Sequence, residues 1–143
     1  MEFLLLILLI RYIMAKDTFP YPVKGRISSP FGNRIHPVTK SPSFHNGIDI
    51  AAPSGTPILS PESGRVINRY ENATGGKQLI IEHSNGYVTG YAHLSDYAVK
   101  SGDNVKKGQL IGYVGTTGRV TGAHLHLTLK KQGVYLNPEN YFE

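Results

Sequence analysis

The chain of 143 residues contains no cysteine. Disulfide frameworks, thiolate metal sites and cysteine nucleophiles are thereby excluded, and the redox compartment stays open. It also lacks an apolar run of the roughly 20 residues that carry a helix across a bilayer: Phe3–Ile10 is unbroken, but Arg11 follows, and the stretch ends at Ala15. Past Lys16 no window keeps apolar residues at i, i+3, i+4 and i+7 through three turns, so a helical bundle is excluded. There are no internal repeats and no long linker, and the length is that of about one domain. His-Glu-x-x-His, Gly-x-Ser-x-Gly and Walker patterns are all missing, which removes helix-borne zinc proteases, α/β-hydrolases and P-loop enzymes. Gly115-Thr116-Thr117-Gly118 is glycine-rich, but it joins two strand-like runs instead of opening a helix, so it reads as a tight turn and not as a phosphate cradle.

What is present points to strands and turns. Sixteen glycines and nine prolines accompany 40% hydrophobic and 17% charged residues, a composition that is neither disordered nor of low complexity. Strand-like runs occur at Arg65–Tyr70, Gln78–His83, Tyr87–Leu94, Gln109–Val114 and His124–Lys131. Asn85-Gly86 between two of them is a hairpin signal, because both residues tolerate positive φ. The expectation is a mainly β, antiparallel domain, preceded by an extended segment over Asp17–Pro30. Residues 1–15 stand apart as a signal peptide or short apolar N-terminal segment, leaving 16–143 as the folded domain. Export is the preferred reading, with Ala15 as the last residue before cleavage. Glu2 in place of a cation and the bulky Ile13 argue against it, and a true start at Met14 is the alternative.

Charge and histidine supply the chemistry. Fifteen Lys and Arg against ten Asp and Glu give +5, a field that favours an anionic partner. The cations are scattered and no helix could dock in a groove of DNA, so nucleic acid is not the expected partner. In His124-Leu125-His126-Leu127-Thr128-Leu129 the strand period of two puts His124, His126 and Thr128 on one face and the leucines on the other. Taken alone, that pattern equally describes a polar, solvent-facing strand. His45-Asn46-Gly47-Ile48-Asp49 adds an imidazole and a carboxylate four residues apart, with Gly47 expected to let the backbone bend so that both face one ion. Together the two motifs offer a two-histidine, one-carboxylate set with a histidine to spare, which suits a zinc site that keeps a coordination position open.

These motifs, with Ser28-Ser29-Pro30-Phe31-Gly32-Asn33-Arg34-Ile35-His36-Pro37, Ile50-Ala51-Ala52-Pro53 and Gly90-Tyr91-Ala92-His93-Leu94, occur in an order that resembles the lysostaphin-like (M23) zinc metalloendopeptidases, over about residues 20–141. The resemblance implies a β-sheet domain with a long open groove over a zinc site. It implies Zn²⁺ held by His45, Asp49 and His126, with His93 and His124 as catalytic histidines that do not bind the metal. The implied activity is hydrolysis of peptide cross-links or stem peptides of bacterial peptidoglycan. The alternative is a catalytically inactive activator or scaffold that binds cell wall; such members typically lack some of these five residues, and none is missing here. Zinc would activate water, and His93 and His124 would divide proton transfer and oxyanion stabilisation between them.

Arg34 and His36 either line the groove, with Arg34 gripping a substrate carboxylate, or only pin their loop; His83 reads as structural. The Phe-Gly-x-Arg-x-His-Pro stretch resembles the branch that acts on directly cross-linked stem peptides. Half-motifs like those of biotinyl and lipoyl carriers, Pro61–Val66 and Val99–Gly112, lack the tripeptide lysine a carrier needs. The expected protein is a monomer that is secreted, periplasmic or associated with the cell envelope, with transient membrane contact through residues 1–15. A phage-encoded lytic enzyme made in the cytoplasm is the alternative.

Overall fold

The computed structural model describes the backbone of residues 2–14, the side chains of residues 2–9, and residues 17–143 in full. Ala15, the expected cleavage point, and the boundary at residues 15 and 16 lie outside the described residues. The chain begins with helix α1 (Glu2–Met14), followed by β1 (Arg26–Ser29), β2 (Gly32–Ile35), β3 (Pro42–His45), β4 (Ile48–Ala51), β5 (Pro57–Leu59), β6 (Gly64–Asn72), β7 (Gly76–Glu82), β8 (Tyr87–Tyr97), β9 (Asn104–Val105), β10 (Leu110–Val114), β11 (His124–Lys131) and β12 (Val134–Leu136). The main sheet runs β1-β4-β11-β8-β7-β6-β9, with β10 joining β5 to β8 and β12 flanking β11, and its strand pairs are antiparallel. β2 and β3 form a separate hairpin.

β11 lies in the interior of the sheet, inserted between β4 and β8. Its alternation is realised: Leu125, Leu127 and Leu129 are fully buried, packed with Ile48, Ile50, Leu79, Ile81, Tyr91 and Ile111 in the core, while His124, His126 and Thr128 lie on the opposite, half-buried face. β7 and β8 are joined by one tight turn in which Asn85 (φ 60°) and Gly86 (φ 78°) are both left-handed, as the Asn-Gly signal requires.

The leading segment is less free than its composition suggests. Phe19 and Val23 are buried, and Phe19 exchanges backbone hydrogen bonds with Tyr141 and Glu143 at 2.8 and 2.9 Å. The two ends of the domain are thus stitched together, and β1 extends the sheet beside β4. None of the described side chains of α1, residues 2–9, enters this core: Phe3, Leu4, Leu5, Leu6, Leu8 and Leu9 are all exposed. No helix among the described residues is long and apolar enough to cross a membrane.

Candidate functional site

Strand register brings the two histidine motifs together. His126 on β11 is paired with Asp49 on β4 on one side and with Ala92 on β8 on the other, while His45 closes β3 just before the turn into β4. Gly47 in that turn does not have a positive φ. It is needed for another reason than the expected bend: a Cβ there would sit 2.1 Å from the Leu127 carbonyl oxygen. Only a residue without a side chain lets the His45–Asp49 segment lie this close to β11.

His45 Nε2, Asp49 Oδ1 and His126 Nδ1 converge, with separations of 3.2 Å (His45–Asp49), 2.9 Å (His126–Asp49) and 3.1 Å (His45–His126). The far nitrogen of each imidazole has an acceptor: His45 Nδ1–H donates to the Pro30 carbonyl at 2.8 Å, and His126 Nε2–H to Asn46 Oδ1 at 2.9 Å. Those outer bonds place the ring protons away from the centre and turn three lone-pair donors toward one point. Donors of a tetrahedral zinc at about 2.0–2.1 Å lie roughly 3.3 Å from each other, so this donor set fits a zinc ion. Burial alone would raise the Asp49 pKa, but the close polar contacts with His126 and His45 outweigh it and hold the carboxyl well below the usual carboxylate range. The site therefore keeps its negative charge.

Two further imidazoles stand beside the donors. His124 Nε2 is 3.7 Å from Asp49 Oδ1, and the His93 and His124 rings are edge-on, 4.9 Å apart. His93 reaches this place through an irregularity in β8. Strict alternation would put it on the core side with Tyr91, but Leu79 pairs with Tyr91 and Lys77 with Leu94, leaving an extra residue on β8, and His93 is left-handed (φ 66°). This bulge lets Tyr91 and Leu94 both enter the core while His93 turns out to the groove. Its Nδ1–H donates to the Thr117 carbonyl at 2.8 Å, and burial, reinforced by His124 and His126, pushes its pKa down to about 4. His93 is therefore neutral at ordinary pH, with Nε2 available to accept a proton. His124 Nδ1 donates to the Gly122 carbonyl at 2.9 Å, so its Nε2 also points inward.

The five residues line an open groove of about 630 Å³. One wall is the β2–β3 hairpin, from Ile35 to Val38; the other is the β6–β7 turn with residues 119–121. Arg34 and His36 both line it and both also hold local structure: Arg34 Nη1 donates to Ser29 Oγ at 2.6 Å, and His36 Nδ1 accepts from the amides of Val38 and Thr39, each at 3.1 Å. His83 lies away from the groove, buried between the Ser63 carbonyl and Thr89 Oγ1. The sequence motifs left Asn46 and Thr117 without roles. Asn46 could have been suspected from its place between two donors; the Thr117 contribution is a carbonyl, which no residue type announces.

Residues 43–138 match the model of peptidase family M23. The chain is 46% identical over 124 residues to the peptidoglycan DD-endopeptidase ShyA of Vibrio cholerae, covering 86% of this chain and 29% of that protein. Among solved structures it resembles a zinc-containing peptidase from Vibrio cholerae (TM-score 0.79, 40% identity, 86% of this chain and 40% of that one). It also resembles the catalytic domain of the antimicrobial peptidase lysostaphin from Staphylococcus simulans (TM-score 0.74, 30% identity, 81% and 90%). The chain spans about three-tenths of the length of the curated relatives it matches.

Proposed function

The chain belongs to peptidase family M23, and from that membership we propose that it is a zinc-dependent endopeptidase that hydrolyses peptide bonds of bacterial peptidoglycan, with the D,D cross-link as the bond cut. The observation that carries this reading is the convergence of three metal donors with two inward-facing imidazoles on the floor of an open groove. Bound by His45 Nε2, Asp49 Oδ1 and His126 Nδ1, zinc supplies Lewis acidity that activates water and polarises the scissile carbonyl.

The chain's own residues do the rest. His93, kept neutral by burial and held by Thr117, accepts the water proton at Nε2. His124, across from it, carries a proton on both ring nitrogens in this step and donates from Nε2 to the oxygen that becomes negative as water adds to the carbonyl carbon. The C–N bond then breaks, and the proton on His93 passes to the departing amine. The groove walls hold an extended peptide across this floor.

A substrate in the wall supports a working site in the cell envelope or outside the cell. The exposed leucines of α1 suit a role in export or in contact at a membrane surface; with 13 residues the helix is about 20 Å long, short of the bilayer core. A phage enzyme made in the cytoplasm and released at lysis would meet the same substrate.

Metal content and hydrolysis of purified sacculi test the assignment in five variants. His45→Ala, Asp49→Ala and His126→Ala are expected to lose both zinc and lysis. His93→Ala and His124→Ala are expected to retain zinc and lose about 10²–10⁴-fold in turnover. Wild-type protein that binds zinc and wall yet releases no fragments would instead be a scaffold. Mass spectrometry of the released fragments identifies the bond, and cleavage confined to glycine bridges would overturn the D,D assignment.

A further inference from the structure

The charge inside the groove is one-sided. Asp49 is the single carboxylate among the lining residues, and it is committed to imidazoles; the lining cations are Arg34 and Arg119. Arg34 is held in the floor through Nη1, bonded to Ser29 Oγ with Asp49 Oδ2 3.9 Å away, and its unpartnered Nε is buried and out of reach of solvent. Arg119 is different. It is exposed on the opposite wall, and among the described residues no carboxylate oxygen lies within ion-pair distance of it.

Its backbone is fixed. The Arg119 amide donates to the Thr74 carbonyl at 2.8 Å, and Gly118 (φ +82°) packs so closely that a Cβ would sit 2.4 Å from the Gly76 nitrogen. Two residues earlier, Thr117 Oγ1 donates to the Leu94 carbonyl and accepts from the Lys77 amide, while its own carbonyl holds His93. A free guanidinium is thus mounted on the same rigid segment that orients His93. A guanidinium so placed matches a carboxylate in geometry and charge, whereas a carboxamide offers it neither charge nor a second equivalent oxygen.

We propose that Arg119 is a specificity-determining residue that binds a free carboxylate on the stem peptide beside the scissile bond and so selects carboxylate-bearing peptides over their amidated forms. This rests on the reading of the groove as a peptide-cutting site. Arg119 acts in ground-state binding, so its effect falls on KM more than on kcat.

The test uses the zinc-loaded full chain and two synthetic cross-linked stem-peptide dimers, identical except that one carries free carboxylates and the other carboxamides. Wild type is expected to favour the carboxylate dimer by about tenfold in kcat/KM, mainly through KM. Arg119→Gln brings the two substrates to within about twofold, Arg119→Lys restores part of the preference, and Lys100→Gln, on the loop between β8 and β9, keeps the wild-type ratio. Equal use of both dimers by wild type, or a ratio that survives in Arg119→Gln, overturns the proposal and leaves the peptidase reading standing. If wild type cuts neither dimer, the peptidase reading fails. Calorimetric binding of the two dimers to His124→Ala and to the double variant His124→Ala/Arg119→Gln then decides Arg119 by the same ratio.

Discussion

Asn46 sits in the chain between two metal donors and spends its side chain on the third. Its Oδ1 accepts from His126 Nε2 at 2.9 Å across 80 residues of sequence, which fixes the tautomer that leaves Nδ1 bare. Asn46→Ala is therefore expected to weaken zinc binding by about 10–100-fold without removing a ligand, read by competition with a chromophoric chelator. Gly47→Ala forces a methyl into the Leu127 carbonyl; a loss of about 1–3 kcal/mol in urea unfolding is expected, together with lower zinc content, because the turn and β11 are pushed apart. The donors themselves could be read in the sequence, since His-x-His shares one strand face and His-x-x-x-Asp is compact. The supporting contacts could not, because their partners are distant in sequence or are backbone carbonyls. His93 is a third kind of case: alternation along β8 puts it on the wrong face, and only the bulge corrects it.

At the scale of elements, the strands β6, β7, β8, β10 and β11 were legible because their β-rich runs lie between recognisable turns; the structure keeps β11 as expected, lengthens β6 and β8, shifts β7 and shortens β10 by one residue. β1 to β5 were not. They are three or four residues long, and all but β4 include Pro, Ser or Gly, so too few alternations occur for a period to emerge. The end of β7 carries its own prediction. His83 is buried with a depressed pKa, chiefly from loss of solvation, opposed by its bond to the Ser63 carbonyl. The folded state thus prefers neutral imidazole, while the unfolded chain takes up a proton near pH 6.5. Stability is full above that value, falls as pH drops toward the lower folded pKa, and then levels off. Urea midpoints measured in chelator at pH 7.5 and 5.5 should show this fall in wild type and a smaller one in His83→Asn. α1 behaves oppositely: since none of its described side chains enters the core, a chain of residues 17–143 should melt with the full chain and lose any affinity for phospholipid vesicles.

Across the whole molecule, a metal held by the proposed donors would couple to the fold, because those donors come from β3, β4 and β11. An ion that binds only the native arrangement adds about 2.7 kcal/mol at a hundredfold excess over Kd, which for a domain of this size is on the order of 10 °C in Tm. Calorimetric scans before and after chelation should show that drop, reversed by added zinc; His45→Ala should be insensitive to both. The mainly antiparallel β class followed from periodicity and the absence of helical windows, but the sheet order, with the last long strand inserted between β4 and β8, is a matter of tertiary packing that no local pattern encodes.

That order has a consequence for the life of the chain during its synthesis. β4 and β8 leave the ribosome first, with a gap between them that only β11 can fill, and Asp49 waits 77 residues for His126. A nascent chain stopped before residue 124 has an unfinished sheet and neither His124 nor His126. On the proposed function, hydrolytic competence is therefore acquired in one late step, when the final long strand slots home, and a chain truncated before β11 lacks the proposed site.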